Sequence, residues 1–173
     1  MYGSGGALSC GQNRTMSIPI PDPQAPALPD LPPGFKPIPM GGDFIHHNGP
    51  FYLRHEGPLV LMGFRVERRH ANPMGNCHGG MLATFCDMLL PISTHRLRPE
   101  IGRRFLPTIN LQIDYLAPAP LGAWVQGEAQ VLRVTRSLVF VQGLVSADDV
   151  PVLRTSGIFK IGPEFPGTSE IAG

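Results

Sequence analysis

The 173-residue sequence has almost no excess of charge of either sign. Fourteen lysines and arginines oppose 13 acidic residues, and the formal net charge is +1. A near-neutral chain gives no electrostatic reason to bind nucleic acid or an anionic membrane surface. No apolar run is long enough to cross a bilayer, and no charged start followed by an apolar block indicates a signal peptide. We therefore expect a soluble, cytoplasmic protein with neither nucleic acid nor membrane as a partner.

Cysteine is also scarce, and its spacing is too irregular for a disulfide framework: the residues are Cys10, Cys77 and Cys86. Adding His78 to these does not give the spacing of a four-ligand zinc site, and the adjacent His46 and His47 rarely serve one metal. The sequence lacks the Gly-x-Ser-x-Gly elbow of serine hydrolases and the glycine motifs that hold nucleotide phosphates. The residues therefore give no signal for a zinc site, a serine-hydrolase nucleophile or a bound nucleotide.

Proline, by contrast, is abundant near the beginning of the chain. Nine prolines lie between Pro19 and Pro39, and they exclude a helix or a central strand there. We expect residues 1–40 to form a flexible extension or an arm on the surface, packed along the outside of a sheet or against a neighbouring subunit. Residues 41–162 are expected to form the single domain, followed by a flexible tail at 163–173.

A buried helix is predicted immediately after Gly79-Gly80. Its apolar residues recur at helical spacing: Met81, Leu82, Phe85, Met88, Leu89 and Ile92. The opposite face is scarcely more polar, which is typical of a helix buried on all sides. Asp87 is its one carboxylate, and a buried charge has to be paired, protonated or functional. Pro91 cannot donate to the carbonyl of Asp87, so we expect the helix to end or kink there.

The glycine pair at the helix start suggests a site for an anion or a polarised carbonyl. The first turn of a helix has unpaired N–H groups and the positive end of the helix dipole, although the glycines could also serve only tight packing. Gly79 and Asp87 are eight residues apart, about 12 Å along a helix axis. One carbonyl group cannot reach both in a single chain. Two antiparallel copies related by a two-fold axis could offer both, which predicts a homodimer with two composite sites.

Strand signals dominate the rest of the sequence. Ile109, Leu111, Ile113 and Tyr115 alternate with polar residues, as in a half-buried strand. Further strands are expected at 59–66, 125–131, 138–145 and 152–161, with a loop over 41–57 and a polar, basic connection over 93–104. Short connections predict an antiparallel meander. The predicted class is α+β, with the sheet wrapped around the helix.

Together these residues resemble the hotdog-fold thioesterases of the phenylacetate-pathway (PaaI-like) type over roughly residues 50 to 162. The motif that carries the resemblance is Asn72-x5-His78-Gly79-Gly80-x6-Asp87, followed by Tyr115-Leu-Ala-Pro118 and Gly122. The resemblance implies a hotdog homodimer, or a homotetramer built as a dimer of dimers. It also implies hydrolysis of acyl-CoA thioesters, with coenzyme A as part of the substrate and no cofactor.

The same resemblance implies roles for five residues. Asp87 would act as general base, or else as nucleophile, and the Gly79 N–H would hold the oxyanion. Asn72 would orient water or the thioester, His78 would shape the loop or bind the substrate, and the Thr108 hydroxyl would assist the attacking water. By the composite geometry, Asp87 and Thr108 would come from one subunit and the other three residues from its partner.

Substrate binding is the least specific part of the prediction. Arginines near the site are candidates for the phosphates of coenzyme A, although each could equally be a solvated strand end: Arg103, Arg104, Arg133 and Arg136. Gly80 would lie beside the substrate, and Met81, Met88 and Leu89 would line the acyl pocket. Aromatic, medium-chain and branched acyl groups all remain open.

Two other functions are compatible with the same fold. A non-catalytic acyl-CoA-binding hotdog domain would keep the pocket and the arginines but would not need Asp87. A hotdog hydratase or dehydratase would need an Asp/His pair, whereas His78 is nine residues from Asp87, on the loop side of the helix.

Overall fold

One long helix and a seven-stranded sheet make up most of the computed structural model, which describes residues 31–38 and 42–165. In chain order the elements are β1 Lys36–Pro37, α1 Gly42–Asn48, β2 Tyr52–Glu56, β3 Leu59–Arg65, α2 Gly79–Leu97, β4 Thr108–Tyr115, β5 Trp124–Val134, β6 Leu138–Ala147 and β7 Val150–Lys160. Short 3-10 turns occupy Arg68–His70 and Pro99–Ile101.

Helix α2 lies against the concave face of the sheet, as its apolar periodicity predicts. The side chains of Phe85, Leu89 and Leu90 are completely buried. Small strand residues let the helix approach closely: a Cβ on Gly127 would lie 2.6 Å from Leu89, and one on Gly157 would lie 2.9 Å from Leu90. Glycines facing Leu89 and Leu90 therefore let the sheet pack closely around the helix. The predicted α+β hotdog architecture is confirmed.

The strand order is β1-β2-β3-β5-β6-β7-β4, and every neighbouring pair is antiparallel. The predicted meander is correct for β5, β6 and β7 but wrong for β4, which pairs with β7 at the far edge rather than with β5. Strands β3 and β4, which precede and follow helix α2 in the chain, lie on opposite sides of the β5–β7 meander. The position of β4 at an open edge matters for the site described below.

Helix α2 does not end at Pro91 but continues to Leu97, so of the two expectations the end is wrong and the kink stays a prediction. Proline removes one N–H donor, and the buried residues on both sides keep the helix in place. The connection expected over 93–104 therefore begins within the helix. Ser93 and Thr94 are completely buried, and the Thr94 hydroxyl donates to the carbonyl of Leu90 at 2.8 Å.

Regular structure also replaces the loop expected over residues 41–57. Helix α1 buries only Ile45, and β2 is a five-residue strand held between β1 and β3. Both are too short to show a clear period. In the described part of the predicted arm, Phe35 is buried with its ring 4.9 Å from that of Trp124. Residues 1–30 and 39–40 of that extension, and the tail from residue 166, lie outside the described residues.

Candidate active site

The loop before α2 is a tight, self-bonded turn. Asn72 starts a β-turn in which the Gly75 N–H donates to its carbonyl at 3.0 Å, with Pro73 second in the turn and Gly75 at a φ of +75°. The Asn72 Oδ1 accepts from the N–H groups of Met74 and Asn76 at 2.9 and 3.2 Å. The Nδ2 group is left as a donor that has no acceptor within residues 31–38 and 42–165.

A second turn, 117–122, holds this loop in place. The Cys77 N–H donates to the carbonyl of Ala119 at 2.7 Å, and the Leu121 N–H donates to that of Gly75 at 2.9 Å. The turn at 117–122 therefore braces the loop that begins α2. This contact brings together the two separate parts of the PaaI-like motif.

His78 caps the N-terminus of α2. Its Nδ1 accepts from the Gly80 N–H at 2.9 Å, so Nε2 carries the proton of the neutral imidazole. A Cβ on Gly80 would lie 3.0 Å from that Nδ1, so glycine at this position lets the ring close over the helix start. The Gly80 N–H is thus occupied within the chain. The Gly79 N–H, in contrast, has no acceptor among the described residues.

Tyr115, at the end of β4, makes a contact that the sequence reasoning missed. Its hydroxyl donates to the carbonyl of Gly79 at 2.8 Å. Although 53% of the residue's surface is exposed, local desolvation raises the pKa of Tyr115 above its ordinary value. The signal in the sequence was present, because an aromatic residue with a polar tip ends an alternating strand within the quoted motif.

Asp87 and Thr108 are brought together by the other end of β4. The Thr108 hydroxyl donates to the Asp87 Oδ1 at 2.6 Å, a length typical of a hydrogen bond to a carboxylate. Asp87 is half-buried and Thr108 is exposed. The second carboxylate oxygen, Oδ2, has no donor within the described part of the chain. The arrangement fixes the carboxylate and leaves one oxygen open for a substrate or a water.

Gly79 and Asp87 themselves do not meet in a single chain. Strand β4 contacts Gly79 through Tyr115 and Asp87 through Thr108, and these two strand residues are about 23 Å apart along an extended backbone. The expectation that Ile109 lies on a half-buried face is wrong for the isolated chain, because 57% of its surface is exposed. An apolar edge strand with an exposed face is a suitable place for another chain to pair.

The residues expected to form the acyl pocket divide into two groups. Met88 is half-buried beside Asp87, and Met81 is almost covered at the start of the helix. Leu89 packs into the core against Gly127, so its assignment to the pocket is wrong. A trough of 1070 Å³ elsewhere on the sheet is lined by none of Met81, Met88 and Leu89.

The thiol of Cys86, the residue before Asp87, is completely buried in the core. Desolvation raises the pKa of this thiol to about 12.

Within the described ranges, no group of three or more His, Cys, Asp or Glu side chains could hold a metal ion. Among the same residues, no helix is both long and apolar enough to cross a membrane. Independence from cofactors and a cytoplasmic location stay predictions.

Three predicted phosphate-binding arginines stand at the end of the sheet where β4 begins. Arg103, Arg104 and Arg136 are all exposed. The Arg104 Nε donates to the carbonyl of Gly162 at 2.9 Å, and the residue after Arg136 accepts from the N–H of Ile161 at 2.8 Å. The same end of the sheet carries Thr108, so positive charge and the Asp87 carboxylate share one region.

The chain is similar in sequence to known thioesterases and esterases. The thioesterase superfamily profile matches residues 74–153. Human acyl-coenzyme A thioesterase 13 is 31% identical over 84 residues, 47% of this chain and 56% of the relative, so the match spans little more than half of that protein. The Pseudomonas aeruginosa protein named "Putative esterase PA0474" is 25% identical over 135 residues, 76% of this chain and 98% of its own length.

Solved structures share the fold. A Streptococcus pneumoniae hypothetical thioesterase crystallised with coenzyme A has a TM-score of 0.59 and 16% identity, over 73% of this chain and 100% of that one. A variant of the phenylacetic acid degradation protein PaaI from Thermus thermophilus has a TM-score of 0.56 and 19% identity, over 68% and 96% of the two chains. Residues 74–153 therefore match the thioesterase superfamily, and the fold is the hotdog fold shared with the streptococcal thioesterase and the PaaI variant.

Proposed function

We propose that this thioester hydrolase cleaves acyl-CoA to a free acid and coenzyme A, with Asp87 as general base and the Gly79 N–H as oxyanion donor. The observation that carries the proposal is a single helix that bears an unoccupied N–H at its start and a carboxylate held by Thr108 further along. The name of the human relative and the coenzyme A in the streptococcal structure support this substrate class.

The chemistry follows from what each group can donate or accept. The open Oδ2 of Asp87 takes a proton from water as the water oxygen bonds to the thioester carbon. The carbonyl oxygen becomes an oxyanion, and the Gly79 N–H at the positive end of the helix stabilises it. Collapse of that intermediate breaks the C–S bond, and the proton held by Asp87 passes to the departing sulfur. Asn72 supplies its free Nδ2 donors to the same oxygen or to the water.

The two halves of this site come from different subunits in our proposal. Within one chain, Asp87 and Gly79 are held at opposite ends of β4, and the exposed edge of β4 offers a surface for a second copy. Antiparallel pairing of two such edges would place the Gly79 of one subunit beside the Asp87 of the other. A tetramer of two such dimers is compatible with this arrangement.

Subunit complementation tests the composite site. Asp87→Asn and Asn72→Ala chains are each expected to be nearly inactive as pure proteins. After co-refolding in equal amounts, half of the dimers are mixed, and each mixed dimer has one intact site. The mixture should therefore recover about a quarter of wild-type activity. Recovery of no activity, with mixed dimers demonstrated by mass spectrometry, would mean that both residues serve the same subunit's site.

The arginines at the start of β4 are proposed to bind the phosphates of coenzyme A. Exposed charge pairs are screened by salt, so KM for acyl-CoA should rise with ionic strength while kcat changes little. Substituting Arg104 or Arg136 by glutamine should flatten that dependence. Substituting Arg54, which lies on β2 near the opposite edge of the sheet and pairs with Glu56, provides the matched control.

The central experiment is release of free thiol from a panel of acyl-CoAs by the wild type, Asp87→Asn and Asp87→Ala. We expect turnover to fall by about 10² to 10⁴ in both variants, with binding and assembly intact. Wild-type binding without turnover would instead establish the non-catalytic acyl-CoA-binding domain. Unchanged turnover in the variants would show that another group is the base.

A further inference from the structure

We infer that Tyr115 is a positioning residue that aims the Gly79 N–H, an inference that rests on the proposed role of this N–H as oxyanion donor. The starting observation is the 2.8 Å hydrogen bond from the Tyr115 hydroxyl to the Gly79 carbonyl. That carbonyl belongs to the peptide unit that joins Gly79 to Gly80. Tyr115 thus acts on the backbone on one side of the Gly79 Cα, and the proposed donor lies on the other side.

The Gly79–Gly80 peptide is held at both ends. Tyr115 donates to its carbonyl oxygen, and the Nδ1 of His78 accepts from its N–H at 2.9 Å. Two adjacent glycines would otherwise be the most mobile backbone in the helix, since neither has a side chain to restrict φ and ψ. Two opposed hydrogen bonds remove that freedom without covering the donor.

The peptide unit that joins His78 to Gly79 is hydrogen-bonded only through its carbonyl oxygen. The carbonyl of His78 accepts from the N–H groups of Met81 and Leu82 at 2.9 and 3.1 Å, which anchors it in the first helical turn. The N–H of that same peptide is the Gly79 N–H, and it has no acceptor among the described residues. The orientation of this donor is therefore determined by contacts that leave the donor itself open, which is the arrangement an oxyanion site requires.

The location of Tyr115 is consistent with this role. It is the last residue of β4, and the turn that follows is bonded to the loop that precedes α2. A Cβ on Gly79 would lie 3.4 Å from the Tyr115 hydroxyl oxygen, so the ring lies directly against the helix start. Loss of the hydroxyl alone, as in Tyr115→Phe, keeps the ring and its packing.

The kinetic arm of the test compares Tyr115→Phe with Tyr52→Phe, whose ring lies on β2 beside Trp124, away from the helix start. We expect kcat to fall about 10- to 100-fold in Tyr115→Phe, with KM within about twofold of the wild type, because only the transition state uses the misaligned donor. Tyr52→Phe should keep the wild-type kcat. Melting temperature and assembly size are recorded for both variants.

The spectroscopic arm observes the donor directly. His78–Gly79 is the sole His-Gly step in the sequence, so labelling histidine with ¹³C at the carbonyl and glycine with ¹⁵N yields one correlated amide signal, that of Gly79. In Tyr115→Phe this signal should move and its order parameter should fall, and in Tyr52→Phe it should not.

The two arms separate the possible failures. A fall in kcat with an unmoved, equally rigid Gly79 signal would overturn the inference and make Tyr115 a substrate contact. A displaced signal with full kcat would overturn it as well. If the wild type hydrolyses no acyl-CoA, the proposed function fails. A displaced and more mobile Gly79 amide in Tyr115→Phe would then still show that Tyr115 positions this N–H. An unchanged Gly79 amide would overturn the positioning role as well.

Discussion

Replacing Thr108 by valine removes one hydroxyl and almost no volume, so it isolates the hydrogen bond to Asp87. The bond is 2.6 Å long and its acceptor is a carboxylate. Hydrogen bonds to charged groups contribute about 1.5 to 3 kcal/mol, and the exposure of Thr108 favours the lower end. A loss of about 1.5 kcal/mol corresponds to roughly a tenfold fall in kcat. Thiol-release kinetics at saturating acyl-CoA measure this directly.

Three comparisons decide whether the hydroxyl is responsible. Thr108→Ser should retain most of the activity, because serine keeps the donor. Thr108→Val should remain well above Asp87→Asn, since the base is still present and only its orientation is relaxed. KM should stay near the wild-type value. Full kcat in Thr108→Val, or an equal loss in Thr108→Ser, would refute the idea that this hydroxyl orients the carboxylate.

Three further predictions concern the scaffold. Gly127→Ala places a Cβ 2.6 Å from a leucine of α2, so we expect a loss of about 1 to 3 kcal/mol in stability, seen as a lower melting temperature with kcat retained. Burial lowers the pKa of His70, so the unfolded state binds a proton more readily than the folded state. The free energy of unfolding should therefore fall as the pH drops below 6.5 and be unaffected by this group above it. His70→Gln should lose less stability on acidification, and the variant of an exposed histidine, His55→Gln, should behave like the wild type. Phe35→Ala removes the ring packed on Trp124, which should cost about 3 kcal/mol and shift the fluorescence of this single tryptophan to longer wavelength.

Periodicity was a sufficient guide where burial is one-sided or complete. The apolar spacing of α2 and the strand signals at 125–131, 138–145 and 152–161 predicted those elements correctly, because each has a long buried face. It failed for β2 and α1, which bury few side chains, and at Pro91, where tertiary packing outweighed a missing donor. The position of β4 was not predictable from spacing, since its neighbour β7 is distant in sequence.

The candidate site shows the same division. The spacing from Gly79 to Asp87 indicated a helix start and a carboxylate too far apart for one chain, and the structure keeps them apart. The hydrogen bonds that fix them could not be predicted, because each joins residues 21 or 36 positions apart through a fold that the sequence specified only in class. Tyr115 was visible in the motif, but its target, a backbone carbonyl, has no signature in a sequence.

The burial of Cys86 has a chemical consequence of its own. A thiolate attacks a thioester readily, and such an exchange beside Asp87 would transfer the acyl group to the protein and release coenzyme A without water. Desolvation raises the pKa of Cys86 to about 12, so the thiol is protonated at neutral pH. Its sulfur is also completely covered by the core. The same packing that places Asp87 therefore protects the protein from acylating itself with its proposed substrate.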